Sequence, residues 1–257
     1  MAGFNVHSIL VTGANRGIGF ELVKQFLERS NPPEKIFATC RNPDGAQELK
    51  NLASRHPNLV IVQLEVTDPV SIKAAAARVE GLLKGSGLHL LINNAGIVKK
   101  TTLEAETPEY MSQVYATNTT GPLVISQAFL PLLKKAVQES AQKGLSCSKA
   151  AIINMSSEAG SIKNVLAWEF GQVVSYRCSK AALNMLTKCQ SLAYRELGIL
   201  CIALHPGWLQ TTMGNTGGYQ APMTVDEGVR GIINTLSKLS EKETGAFINW
   251  EGNLLPW

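Results

Sequence analysis

Tyr176 and Lys180 stand four residues apart in a stretch of helical period, a spacing that puts both side chains on one helix face. A free phenol has a pKa near ~10 and exchanges protons poorly at neutral pH. A neighbouring ammonium favours the phenolate and lowers that value. A drop of ~2–3 units needs roughly 3–4 kcal/mol of differential interaction, which a partly buried cation can supply. The pair is therefore a candidate proton donor. Tyr-x-x-x-Lys also arises by chance in many helices, so its company decides its meaning. Asn93-Asn94-Ala95-Gly96 closes one apolar run and Ser156-Ser157 closes the next. Pro206-Gly207-Trp208-Leu209-Gln210-Thr211 follows a third, and Asn118 lies in a long helical stretch between them.

A second chemistry precedes all of these. Thr12-Gly13-Ala14-Asn15-Arg16-Gly17-Ile18-Gly19 follows an apolar run and opens a helical stretch. Glycines there allow a sharp turn and let a pyrophosphate approach a helix N-terminus, whose free N–H groups and dipole favour anions. The loop reads as a dinucleotide site because a strand precedes it and a helix follows. An NAD site usually has Asp or Glu at the end of the second strand. Here that strand ends Ala38-Thr39-Cys40-Arg41, with no acid. Arg16 and Arg41 together suit a 2′-phosphate, since each guanidinium offers a planar fork of donors. The reading is NADPH/NADP+; the bland alternative is two solvated surface arginines.

These groups need a scaffold, and the sequence supplies one. Apolar runs of four to six residues recur at 8–11, 35–39, 59–64, 88–92, 151–155, 200–204 and 246–249. Each is bounded by turn formers and apolar on both faces, as strands of a covered parallel sheet are. Amphipathic helical stretches intervene at 18–28, 45–55, 70–83, 108–137, 175–197 and 225–239. The alternation predicts an α/β, doubly wound, Rossmann-type fold with a central parallel sheet of about seven strands and helices on both faces. Ligands then bind at the carboxyl ends of the strands. There is no repeat and no linker-like tract, so residues 1–257 are read as one domain.

Composition removes other classes. Of 257 residues, 24 are basic and 20 acidic, a net charge of +4. That mild excess, without basic clusters, argues against nucleic-acid and membrane partners. With 45% hydrophobic residues the chain can bury a large core. The five cysteines are odd in number and match no zinc spacing, and His7, His56, His89 and His205 are scattered. No metal site is expected. The thiols read as reduced and the compartment as cytoplasmic. Ser157 is no hydrolase nucleophile, since Met155-Ser156-Ser157-Glu158-Ala159 is not a Gly-x-Ser-x-Gly elbow.

The joint order of these motifs resembles the short-chain dehydrogenase/reductase family over essentially the whole chain. The tail Asn249-Trp250-Glu251-Gly252-Asn253-Leu254-Leu255-Pro256-Trp257, with Ser156-Ser157-Glu158-Ala159-Gly160-Ser161-Ile162, is similar to sniffer-type carbonyl reductases and bacterial C-factor-like proteins. The resemblance implies a catalytic set of Asn118, Ser157, Tyr176 and Lys180. Tyr176 would give the proton, and Lys180 would lower its pKa and bind the nicotinamide ribose. Ser157 would hold the carbonyl, and Asn118 would anchor a relay water. The expected cofactor contacts are Gly13, Asn15, Arg16, Gly17, Ile18, Gly19 and Arg41 around the phosphates. Glu65, Val66, Asn93, Ala95 and Gly96 would follow along the adenosine and ribose. Pro206, Gly207, Leu209 and Thr211 would cradle the carboxamide. The family often has Asp-Val where this chain has Glu65-Val66, so Glu65 and Asp68 compete for the adenine. Trp168, Phe170, Trp208 and Tyr219 are candidate substrate contacts, with ordinary packing as the alternative for Trp168 and Phe170. The implied function is NADPH-dependent reduction of aldehydes, ketones or quinones. An NADP(H)-sensing regulatory protein is the alternative. A homodimer or homotetramer is implied, with Val124, Phe129, Leu132, Leu186 and Leu192 as candidate contacts.

Overall fold

A computed structural model describes residues 4–215 and 220–257, apart from the side chain of Phe170. Seven parallel strands form one sheet: β1 Ser8–Val11, β2 Lys35–Cys40, β3 Leu59–Gln63, β4 Leu90–Asn93, β5 Ala151–Met155, β6 Leu200–His205 and β7 Phe247–Asn249. Their order is β3-β2-β1-β4-β5-β6-β7. The chain runs outward from β1 to β3, then restarts at β4 on β1's other side. That reversal opens a crevice at the carboxyl ends of β1 and β4.

Side chains of each strand alternate between two apolar layers. Ile9, Val11, Ile36, Ala38, Leu90, Ile92, Ile153 and Ile202 face one core. Leu10, Phe37, Leu91, Ile152 and Cys201 face the other. Helices α1 Gly17–Leu27, α2 Gln47–Arg55 and α7 Val225–Leu236 cover the first. Helices α3 Pro69–Leu83 and α5 Gly121–Glu139 bury side chains in the second. On that same face α6 Val174–Tyr194 packs on β6 and against α4 Pro108–Tyr115. Phe26, Phe37, Phe129 and Phe247 are fully buried, each contributing roughly 1.5–3 kcal/mol of transfer free energy. No described helix is long and apolar enough to cross a membrane.

The expected elements are present, with two informative differences. The stretch 108–137 is not one regular helix, because a π-helical turn at Ala116–Thr120 joins α4 to α5. Such turns widen the backbone and concentrate at functional sites; this one contains Asn118. Among the candidate subunit contacts, Phe129 and Leu132 are buried in the core under α5 and face the sheet instead. Val124 and Leu186 are half-buried, while Leu192 is 71% exposed.

Helix starts also differ from one another. Asp68 caps α3, Thr107 caps α4 and Thr224 forms a capping box with Glu227 at α7. Helix α1 starts after Arg16 with no side-chain cap and no acid in its first turn. Helix α6 starts after Val173, which cannot cap it.

Candidate active site

At the carboxyl ends of the strands lies a cleft of about 590 Å³. Its floor is the glycine loop. Gly13 and Gly17 adopt positive φ (64° and 55°), and a Cβ on Gly13 would come within 3.0 Å of Ala95. A Cβ on Gly19 would lie 2.3 Å from the Gly13 carbonyl, so Gly19 serves close packing and does not line the cleft. Thr12 joins the loop to β4: its Oγ1 accepts from Asn94 N and Ala95 N, both at 3.0 Å. Asn94 Nδ2 donates back to the Thr12 and Gly13 carbonyls. With the first-turn N–H groups of α1 uncapped beside this loop, the cradle fits a diphosphate.

Asn93 does not line the cleft. It is buried, donating to Ser126 Oγ at 3.3 Å and Asn154 Oδ1 at 2.9 Å. Asn154 in turn donates to Thr187 and Gln190 of α6. Asn93 shares the Leu91 face of β4, and that face looks into the α5–α6 layer. Asn94, one residue on, lines the cleft. Of the two candidate acids, only Glu65 lines the cleft. Asp68 accepts from Val70 N as the α3 cap, whereas Glu65 is on the cleft wall, 3.6 Å from Arg41 Nε. Arg16 and Arg41 both reach the cleft and both are exposed. Asn15, Ile18, Val66, Ala95 and Gly96 line it as expected.

The residues expected to be catalytic come together on the far side. Tyr176 and Lys180 line the cleft from α6, and the Ser157 hydroxyl lies near enough to the Tyr176 phenol to favour its charged form. Lys180 Nζ lies 5.6 Å from the Tyr176 ring centroid and donates to the Met155 carbonyl at 2.6 Å. Burial raises the phenol pKa above its ordinary value, and the Ser157 hydroxyl only partly offsets this. Burial also lowers the Lys180 ammonium to about 8. Burial thus works against the depression of the phenol expected from a neighbouring ammonium. Asn118 is fully buried behind Gly96. Its Oδ1 accepts from Ile97 N, and its Nδ2 donates to the Ile97 carbonyl and to Ser179 Oγ. Four residues on is Pro122, which has no N–H to give the Asn118 carbonyl in an α-helical bond.

Pro206 and Thr211 line the cleft, but Gly207 and Leu209 do not. Gly207 has φ 90° and packs against Trp250, while the Leu209 side chain is buried against Gly228. Trp168 is off the cleft, with the Arg177 guanidinium 5.6 Å from its ring. Trp208 is also off it, and its Nε1 donates to the Gly214 carbonyl at 2.8 Å. Phe170 contributes its backbone to the turn Trp168–Phe170, and Tyr219 lies outside the described residues. Val98, Lys100, Thr212 and Met213 occupy the mouth instead.

The model of the short chain dehydrogenases matches residues 7–220. The chain belongs to the short-chain dehydrogenase family. Its fold superimposes on an NADPH-bound carbonyl reductase from chicken fatty liver, 64% identical over 98% of this chain and all of that one, with a TM-score of 0.95. The carbonyl reductase Sniffer of Drosophila melanogaster is 40% identical over 98% of this chain and all of that one, with a TM-score of 0.93. The likeness anticipated from the tail is upheld. An uncharacterized oxidoreductase of Schizosaccharomyces pombe is 30% identical over 96% of each chain. As a short-chain dehydrogenase, the protein is an oxidoreductase.

Proposed function

We propose that this short-chain dehydrogenase reduces carbonyl groups of modest-sized aldehydes, ketones or quinones with NADPH. The juxtaposition of half-buried Ser157 and Tyr176, with buried Lys180 behind them and the uncapped α1 across the cleft, carries the reading. The chicken and Sniffer structures, both carbonyl reductases, support it.

The nicotinamide, when bound, supplies the hydride. The Gly13–Gly17 cradle and the α1 N–H groups would hold the diphosphate, and Arg16 with Arg41 would meet the 2′-phosphate. Glu65, already beside Arg41, would take the adenine side. Lys180 would donate to the ribose hydroxyls. Ser157 donates to the substrate oxygen and orients it towards Tyr176, whose phenol gives the proton; burial keeps that phenol protonated but makes it a weaker acid, so orientation has to carry the transfer. The proton is replaced past Lys180 through a water held at the Asn118 carbonyl, which Pro122 leaves without its α-helical donor. Hydride and proton arrive at one oriented carbonyl, so positioning and acid catalysis carry the rate. The free thiols, three of them buried, suit a reducing compartment such as the cytoplasm. The sensing alternative gains no observation of its own, since it needs only the glycine loop.

The test is consumption of reduced nicotinamide against a panel of aldehydes, ketones and quinones, comparing NADPH with NADH. Turnover with NADPH that vanishes in Tyr176→Phe supports the reading. A preference for NADH would overturn the roles of Arg16 and Arg41, and full activity of Tyr176→Phe would overturn the proton donor.

A further inference from the structure

Tyr176 is the third residue of α6, so its phenol sits on the turn of the helix most prone to fray. The residue before that helix cannot secure it. Val173 has no polar side chain and is held at φ 38°, a left-handed conformation that is strained for a β-branched residue. The turn leading in is fastened largely through its carbonyls: Arg177 donates to those of Leu166, Gly171 and Gln172. The N–H groups at the helix start need an acceptor from elsewhere.

That acceptor is Glu106, distant in sequence. Its Oε2 accepts from Ser175 N at 2.9 Å and from Thr101 Oγ1 at 2.6 Å, and its Oε1 accepts from Thr107 N at 3.2 Å. Among the described residues it is the one side chain that accepts from the first-turn N–H groups of α6. The base it stands on is firm. Thr107, next in sequence, caps α4, and α4 packs against α6. Two further bonds run alongside: Leu103 N to Gln172 Oε1 at 2.6 Å and Val173 N to the Thr101 carbonyl at 3.1 Å. A carboxylate at a helix N-terminus also meets the positive end of the helix dipole.

We propose that Glu106 is a positioning residue for proton transfer, capping α6 in trans so that the Tyr176 phenol is held against Ser157 while the cofactor cradle stands independently. This rests on Tyr176 being the proton donor. Lys180, one turn further in, is fixed separately by the Met155 carbonyl, and the glycine loop is on the opposite wall. Losing the cap therefore blurs the phenol and spares the cofactor.

The experiment is steady-state kinetics with NADPH and a reducible carbonyl, alongside NADP+ titration, on Glu106→Ala, Glu106→Gln and the exposed neighbour Glu104→Ala. Glu106→Ala should lose about 10- to 100-fold in kcat, the scale of an ångström-sized misplacement, with NADP+ affinity within about twofold. Glu106→Gln retains a carbonyl oxygen for Ser175 N and should recover most of the loss; Glu104→Ala should match the parent. Amide exchange at residues 174–177, followed with NADP+ bound, should speed up about tenfold in Glu106→Ala, whether or not a substrate is turned over. Unchanged kcat with unchanged exchange overturns the proposal, as does parallel loss of kcat and NADP+ affinity, or failure of Gln to rescue. Tyr176→Phe run beside them separates the failures. If it stays active, the proton-donor assignment has failed; if it is dead while Glu106→Ala is fully active, only the capping role has.

Discussion

The sheet carries a cavity of similar volume at each end, and only the one at the carboxyl ends holds Tyr176 and Lys180. At the amino ends of β1 and β4 a cavity of about 650 Å³ is bounded by His7, Ser8, Glu34, His89 and Glu139. The carboxyl-end cleft is about 590 Å³. What separates them is how their polar groups are matched. At the amino pole His7 bonds Glu34, Gly87 N bonds Glu139, and Ser8 Oγ donates to the Gly87 carbonyl. Having spent its proton there, Ser8 Oγ must accept from His89 Nδ1, 2.9 Å away. Among the described residues, buried polar atoms of Thr39, Asn93, Ser175, Arg177, Asn184, Gln190 and His205 lack a hydrogen-bond partner, and none of these residues lines either cavity. What is left unmatched in the carboxyl-end cleft is the uncapped start of α1, whose free N–H groups favour an anion. Volume alone does not tell the two ends apart.

The widest separation between the poles is expected in activity. Tyr176→Phe removes the proposed proton donor and should lower kcat/KM by about 10²–10⁴-fold, with NADP+ affinity retained. His7→Ala, at the amino pole, should leave kcat/KM within about twofold. A comparable loss in both would mean that the amino cavity communicates with the reaction, and the contrast would fail.

Stability should show the reverse emphasis. A Cβ on Gly87 would lie 2.0 Å from the Ala136 backbone N, where the helix cannot yield as a side chain would. Gly87→Ala should lose about 3 kcal/mol or more of unfolding free energy, read by denaturant titration, while the folded fraction turns over normally. A stable Gly87→Ala would show that the amino pole is looser than its packing implies.

The acid limb of stability should belong mainly to the carboxyl pole. Burial lowers His205 to about 4, although Glu158 Oε2, 3.7 Å from its Nε2, favours the charged ring. The native state thus takes up fewer protons than the unfolded chain between the two pKa values. Stability falls as pH drops from about 6.5 to about 4, by roughly 3 kcal/mol from this ring. His205→Gln, which cannot charge, should flatten that part of the profile; parallel profiles would show that the ring is not held neutral.

How far the sequence revealed these poles depended on the range of each interaction. The sheet was legible because apolar runs on both faces are a local property, and Tyr176 and Lys180 because an i,i+4 pair faces one way in any helix. Asn93 was misplaced since alternation says that it and Asn94 face opposite sides, but not which side holds the crevice; its neighbour Asn154 decides that, 61 residues away. Glu106 left no signal at all, because its partner Ser175 is 69 residues off. Trp168 and Trp208 were placed by proximity in sequence to functional groups, which says nothing of direction, and both turn away from the cleft.

The smallest effect should come from Ser8, and it tests whether the amino pole is merely matched. Ser8→Ala removes the donor to the Gly87 carbonyl and the acceptor for His89 Nδ1. Leaving these groups unsatisfied should cost roughly 1–3 kcal/mol, with kcat/KM unchanged. His89 is held below its ordinary pKa, first by burial and then by His7, with Glu139 and Glu34 opposing. Its contribution to stability is therefore complete above about 6.5 and is lost as pH falls below that value. His89→Asn should remove this loss, by less than His205→Gln does, because two carboxylates already favour the charged imidazole. If His89→Asn flattened the acid limb more than His205→Gln, the amino pole would be the more strained end of the sheet, and the contrast in matching drawn above would have to be reversed.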